Sequence, residues 1–232
     1  MNSDEKPRAR FYNRLHAGHE LAADLPRYLG GQEPVILAIP RGGVPVGAAI
    51  AGVLSAPLDL IVPRRIEAPG QPGVTLGAIA PDRTLVVNRE ATSGLGLSDE
   101  QLDELAVPVW LESQRVQRLY RQNRPYPDLK GRIAIIVDDR LLTGYSMMAA
   151  VASVRKLEPA RIMVAVPVSY VDGIERVRSY VDDLLSLEIT TDPEYMASRY
   201  YADWAPLADN DVIWTLEHAW EEHPAQGYSE TF

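Results

Sequence analysis

A chain of 232 residues with no cysteine and a formal net charge of −9 can form neither disulfides nor thiolate metal sites, and it offers no thiol nucleophile. Its acidic balance argues against a broad grip on nucleic acid, whose phosphates need a basic face. With no apolar run of membrane-spanning length and no signal-peptide pattern, the expectation is a cytoplasmic protein with neither nucleic-acid nor membrane partners. It should fold as a single unit over residues 11–232 behind a loose polar leader, MNSDEKPRAR, at 1–10.

From Phe11 to Leu29 the residues Leu15, Leu21, Ala22 and Leu25 recur at near-helical spacing, and Gly30-Gly31 stops the pattern. Val35 to Ile39 is an uninterrupted apolar run, as expected of a strand covered on both faces, and it ends at Pro40-Arg41-Gly42-Gly43. A helix from about Val46 to Leu54 leads to a second such run, Leu58 to Val62, which ends at Pro63-Arg64-Arg65. Glu67 to Gly73, rich in proline and glycine, reads as a mobile loop and a lid candidate. Thr75 to Ala80 and Thr84 to Asn88 read as a hairpin about Pro81-Asp82-Arg83.

Ser98, with Gln101 three residues on, caps a helix that runs to about Tyr120, with Pro108 as a point where it can break. A proline-broken connector then delivers Ile133 to Val137, the third apolar run. A helix at Met147 to Leu157, a strand at Arg161 to Val168, a helix at Asp172 to Val181 and a strand at Leu184 to Ile189 follow. The tail is aromatic and acidic, through Tyr195, Tyr200, Tyr201, Trp204, Trp214 and Trp220. Such alternation implies an α/β fold with a parallel sheet, right-handed crossovers and ligands at the carboxyl ends of the strands.

The third run carries the chemistry. Asp138-Asp139 follow it directly, then Thr143-Gly144-Tyr145-Ser146 and the helix near Met147. Adjacent carboxylates at a strand end should face a crevice, where they can accept hydrogen bonds from hydroxyls or hold water around a cation; a ribose diol fits. The T-G-x-S turn sets amides and two hydroxyls at a helix N-terminus, where phosphate is favoured, and Gly144 lets backbone approach closely. His16 and His19, and His218 with Glu222, find no further ligands and do not make a metal site. The aromatic tail can pack over the core or stack a base; Tyr200, Tyr201 and Trp204 are the weak candidates for stacking.

The stretch IAIIVDDRLLTGYSM resembles the phosphoribosyl pyrophosphate signature of type I phosphoribosyltransferases. AIPRGGVPVG and VPRRIEAPGQP resemble segments of a bacterial group of predicted phosphoribosyltransferases with PRGG and VDD-x-x-x-TG motifs. With the first helix and YYADW, the resemblance spans Phe11 to about Leu216. It implies a parallel-sheet fold with a small hood from the terminal segments, 11–30 and 190–232. By carry-over, Asp138 and Asp139 hold the ribose hydroxyls, and Thr143, Gly144, Tyr145, Ser146 and Met147 bind the 5-phosphate. Arg41, Gly42 and Gly43 meet the pyrophosphate with Mg2+, beside Arg64 and Arg65.

Asp138, Asp139 and Arg65 are thereby the implied catalytic residues, with Mg2+ carried by the substrate near the two acids. The implied partners are phosphoribosyl pyrophosphate and a small acceptor, a nucleobase among the options, and a homodimer is allowed but not required. Three positions depart from the close relatives: Arg140 stands for Gly, Leu142 for Ala and Arg65 for Lys. Leu142 also occupies the place of an acid in hypoxanthine-guanine enzymes, which disfavours that substrate class. Three readings remain open: a magnesium-dependent transferase, a regulator that binds phosphoribosyl pyrophosphate without turnover, and a ribose-phosphate hydrolase or isomerase.

Overall fold

The computed structural model describes residues 9–122, 124–192, 196–223 and 228–229. The chain opens with α1 (Arg14–Asp24), α2 (Pro26–Leu29), β1 (Pro34–Ala38), α3 (Gly43–Leu54) and β2 (Leu58–Leu60). Then come β3 (Arg64–Glu67), β4 (Thr75–Ile79), β5 (Leu85–Val87), α4 (Arg89–Gly94), α5 (Asp99–Arg121) and β6 (Tyr126–Pro127). The C-terminal part holds β7 (Ile133–Val137), α6 (Tyr145–Arg155), β8 (Arg161–Tyr170), α7 (Val171–Arg178), β9 (Asp183–Thr190), a 3-10 turn (Ala197–Tyr200), α8 (Asp209–Glu222) and β10 (Tyr228–Ser229).

The central sheet is wholly parallel, in the order β2-β1-β7-β8-β9. Its strands alternate between two helical layers. Ile36, Ala38, Ile133, Ile135 and Val137 pack with Leu21 of α1, Ile50 of α3 and Leu216 of α8. Val35, Leu37, Ala134 and Ile136 pack with Met147 and Val151 of α6 and Ile174 and Val177 of α7. Because both faces are covered, the strands need apolar residues at every position, which explains the unbroken runs. The β1–β7 register, Pro34 opposite Ile133 through Ala38 opposite Val137, brings Pro40-Arg41 beside Asp138-Asp139 at the carboxyl edge.

The second apolar run is shorter than its composition implied. β2 ends at Leu60, and Arg64-Arg65 open β3 of a separate antiparallel sheet, β3-β4-β5, packed on α5 through Ile66, Leu76, Ile79, Leu102 and Ala106. Ile61 and Val62 stay buried without continuing the strand, and Pro63, lacking an N–H, cannot pair onward. Glu67 belongs to β3. The turn beyond it is closed by hydrogen bonds from Ala68 N to Val74 O (2.9 Å) and Gln71 N to Ala68 O (3.1 Å).

Other expectations also shift. The first helix divides at Leu25, with Pro26 at the first position of α2, where its missing N–H costs nothing. α3 begins at Gly43 rather than Val46. α5 continues through Pro108 without a break; its Ser98–Gln101 capping box forms as expected. Arg10 at the end of the expected leader is anchored, its guanidinium reaching Glu188 at 2.9 Å and Glu20 at 2.6 Å. The remainder of that leader, residues 1–8, and Tyr195 lie outside the described residues. Among the described residues no helix is long and apolar enough to cross a membrane.

A buried ion pair ties α5 to β2 at the edge of the central sheet. Arg121 at the end of α5 donates through Nε and Nη2 to both oxygens of Asp59 in β2, each at 2.8 Å, and its guanidinium stacks 3.3 Å from the Tyr126 ring centroid. Burial pushes the Asp59 carboxyl above the usual carboxylate range, and the hydrogen bonds from Arg121 only partly offset it. Removing one partner strands a charge in the interior. Arg121→Met should therefore lower unfolding free energy by about 3–5 kcal/mol in urea denaturation, and adding Asp59→Leu should recover most of that loss. An unchanged midpoint in the single variant would contradict the role assigned to this pair.

Candidate active site

The carboxyl ends of β1 and β7 open into a cleft of about 430 Å³. Its walls are the turn Pro40 to Gly42, the segment Pro63 to Arg65, and the loop Asp138 to Gly144 with Ser146 and Met147 of α6. Arg14 and Trp204 close the rim from the two ends of the chain. Of the residues singled out in the sequence, Arg41, Gly42, Arg64, Arg65, Asp138, Asp139, Thr143, Gly144, Ser146 and Met147 line this one space.

Gly43 and Tyr145 do not. Gly43 lies beneath the cleft against β7, where a Cβ would come within 2.7 Å of Val137 O, so its glycine serves close packing. The Tyr145 ring turns away to Ala78, Ala80 and Ala149, leaving only its backbone at the helix start. That start is well braced. Gly144 takes a left-handed conformation, φ 85°, that a side chain would strain, and it packs against Gly173 of α7. Leu141 is tied to β8 by Leu141 N to Val168 O (2.9 Å) and Tyr170 N to Leu141 O (2.8 Å). The first amides of α6, free of intrahelical partners by helix geometry, form a fixed cradle for an anion.

The two carboxylates are held differently. Asp139 is buried, its Oδ2 receiving Arg14 Nε at 2.8 Å and its backbone oxygen receiving Tyr201 Oη–H at 2.7 Å. It rests against the Cα of Gly42, where any Cβ would overlap the carboxylate. Asp138 is half-buried and accepts the Asp139 N–H through Oδ1 at 2.7 Å. Burial, and then the charge of Asp139, raise the Asp138 carboxyl well above its ordinary range, so a cation or hydroxyl donors arriving there would be favoured.

The cleft gathers five arginines, 14, 41, 64, 65 and 140, against the two aspartates, a local surplus of positive charge in an acidic chain. Arg41 is braced by Tyr120 Oη (3.2 Å), Leu207 O (3.0 Å) and Asp209 (3.0 Å). Arg64 meets Glu112 at 3.5 Å, while its buried Nε has no hydrogen-bond partner among the described residues. Arg65 meets Glu67 at 3.7 Å. The guanidiniums of Arg14 and Arg140 lie 3.8 Å and 5.6 Å from the Trp204 ring centroid.

Arg14 was invisible to sequence reasoning, since nothing near it in the chain marks a site. Trp204 stood among the weak stacking candidates and does reach the rim, while Tyr201 is buried beneath it and Tyr200 packs beside it in the same aromatic cluster. The expected lid, Glu67 to Gly73, is not part of the lining described.

The family model for the phosphoribosyl transferase domain matches residues 10–198. The chain belongs to that family. Two curated Mycobacterium tuberculosis proteins, provisionally named phosphoribosyl transferases, are 33% identical to it over 217 residues, 94% of this chain and 48% of theirs. The chain thus spans about half the length of the curated relatives it matches. Among solved structures, TT1426 from Thermus thermophilus is 34% identical with a TM-score of 0.76, covering 90% of this chain and 98% of that one. The AQ2163 protein from Aquifex aeolicus, at 16% identity and a TM-score of 0.50, covers 82% of this chain and 85% of its own and shares the fold. The type I phosphoribosyltransferase architecture read from the motifs is the one present.

Two glycines at opposite ends of α3 separate a site constraint from ordinary helix propensity. Gly42→Ala must displace Asp139 from Arg14 and is expected to cost about 1–3 kcal/mol, the usual penalty of overpacking. Gly52 is exposed with nothing near a Cβ, so Gly52→Ala should stabilise by about 0.5–1 kcal/mol. Thermal unfolding of the two variants checks this, and similar shifts in both would contradict the fit described for Gly42.

Proposed function

We propose that this phosphoribosyltransferase domain binds phosphoribosyl pyrophosphate with Mg2+ and transfers the phosphoribosyl group to a small acceptor, releasing pyrophosphate. One observation carries the reading: a carboxylate pair, a helix-start anion cradle and a cluster of arginines face a single cleft of suitable size. Asp138, with Asp139 set behind it, would accept the ribose hydroxyls. The turn Thr143 to Met147 would take the 5-phosphate on its amides and on the hydroxyls of Thr143 and Ser146. Arg41, Arg64 and Arg65, whose side chains line that cleft, would lie along the pyrophosphate.

The donor set suits Mg2+ carried in with the substrate. Among the described residues no group of three or more His, Cys, Asp and Glu could cage a metal, whereas an oxygen-rich site with one or two carboxylates plus substrate phosphates is the usual setting for this ion. When bound, Mg2+ would neutralise charge on the departing pyrophosphate. The protein's own share is positional and electrostatic: Asp138 orients the sugar, the cradle fixes its far end, and the arginines stabilise negative charge building on the leaving oxygen.

A second reading, a regulator that binds the same ligand without turnover, is favoured by Leu142. It is exposed at the cleft and offers no titratable group for the acceptor proton. The two readings separate by experiment. Calorimetry should detect phosphoribosyl pyrophosphate with Mg2+ under both, and pyrophosphate release over a panel of acceptors should appear only for a transferase. Asp138→Asn, which leaves the Arg14–Asp139 pair untouched, should weaken that calorimetric affinity by roughly 100-fold while circular dichroism stays native. Wild-type affinity in this variant would remove Asp138 from the site.

A further inference from the structure

A second cavity adjoins the cleft, with a volume of about 360 Å³ that suits a small ligand. Leu15 of α1, Pro45 of α3, Leu207 and Trp214 of α8 give it an apolar lining, and Leu15 and Trp214 are large side chains left 46% and 61% exposed. Exposed apolar surface gathered in one hollow marks a place of contact. The Trp214 indole is held there by the His218 ring, 3.9 Å away between centroids.

One stretch of chain separates the two spaces. Residues 203–207 form neither helix nor strand; Asp203, Ala205 and Leu207 line the second cavity, while Trp204 between them lines the cleft. Carbonyls of the same stretch hold cleft arginines: Ala205 O accepts from Arg14 Nη1 at 2.9 Å and Leu207 O from Arg41 Nη1 at 3.0 Å. Arg14 itself borders both spaces. A group packed on Ala205 and Leu207 in the second cavity therefore bears on two guanidiniums that face the first.

Charge selects the occupant. Asp203 and Asp211 line the cavity, and their carboxylates accept backbone N–H groups, from Ala205 at 3.1 Å and from Ala208 at 2.8 Å. Among the described residues neither has an ion-pair partner, and Arg14, the cation in the lining, is already committed to Asp139. An indole and two unpaired carboxylates around an apolar hollow match a positive charge on an apolar body, since ring quadrupole and carboxylates both attract it.

We propose that this cavity is an effector site for a small organic ammonium ion with a flat apolar body, and that its occupancy is felt in the cleft through residues 203–207. A ligand packed on that stretch fixes the carbonyls that hold Arg14 and Arg41, and so favours the arrangement that an anion in the cleft meets; the coupling is reciprocal.

The probe is phenethylammonium, titrated by calorimetry into the full chain beside 2-phenylethanol, which has the same ring and a hydroxyl in place of the charge. The cation should bind roughly fivefold tighter than the alcohol, and Trp214→Ala should weaken it roughly fivefold. Asp203→Asn with Asp211→Asn should bring cation and alcohol level. All three positions are exposed, and circular dichroism should stay native. Equal binding of cation and alcohol to the wild-type chain, no binding of either, or an affinity unmoved by both variants would overturn the site. The coupling rests on the ligand assigned to the cleft above: phosphoribosyl pyrophosphate with Mg2+ should bind at least about fivefold tighter when phenethylammonium is saturating, and Trp214→Ala should abolish that gain. An affinity unchanged or weakened would overturn the coupling. Failure of phosphoribosyl pyrophosphate to bind the chain without the cation would remove the reading above and the coupling with it, while the cation titrations alone decide the cavity.

Discussion

The contact between the Asp139 carboxylate and the bare Cα of Gly42 is the constraint on which the site is built. It permits the end of β7 to press directly onto the turn after β1, so that the two acids and the PRGG turn share one wall. The carboxylate placed there needs compensation, because a charge this far from water is costly alone. Arg14 supplies it from the other end of the fold, and in doing so fixes α1 against the cleft. Strand register, glycine and arginine are thus a single device: parallel pairing brings the two strand ends together, the glycine allows contact, and the ion pair offsets the burial of charge.

Charge is distributed to the same end. The chain is acidic overall, yet its cleft concentrates arginines, so positive charge is gathered at one place on an otherwise acidic molecule. Most of those arginines have acidic neighbours. Arg41, for example, shares Asp209 with the Tyr120 hydroxyl, which donates to that carboxylate at 2.5 Å. A guanidinium held in this way has already lost much of its rotamer freedom, so little entropy would remain to be lost in any contact it makes across the cleft. The same restraint links α5 and α8 to the cleft, making helices distant in sequence part of its support.

What could be read from sequence follows from how locally each feature is encoded. The buried strands announced themselves because both faces are covered and every position must be apolar; the acid pair and the T-G-x-S turn did so because strand, turn and helix start are contiguous in the chain. The antiparallel sheet was obscured at its first strand, where Leu58 to Val62 is one apolar run although only Leu58–Leu60 pairs with β1. Pro108 looked like a break because a proline removes a helical hydrogen bond, yet α5 runs on, packed through Leu102 and Ala106 on one side of it and Val116 and Tyr120 on the other. Arg14 could not be found at all: its meaning lies in a partner 125 positions away, and no local pattern encodes that. Tyr145 divides its parts: its place in the motif fixes its amide at the helix start, while its ring packs on the neighbouring alanines.

The aromatic tail shows how packing and positioning merge. Tyr201 is buried in contact with Phe11, its ring centroid 5.4 Å away, and yet its hydroxyl reaches the backbone oxygen of Asp139. Trp220 does the same farther back, donating its indole N–H to Leu58 O at 2.8 Å. Large rings with one polar tip suit this use, because they bury much apolar area while satisfying a carbonyl that the end of a strand leaves unpaired. Exposure at the cleft and packing over the core are consequently divided between neighbours. Tyr201 supports the cleft from below, its ring 4.6 Å from that of Trp204, and Trp204 is left at the rim with a guanidinium near its face. Within YYADW, Tyr201, which braces the backbone of Asp139, lies inside, and Trp204, three positions on, reaches the mouth of the cleft.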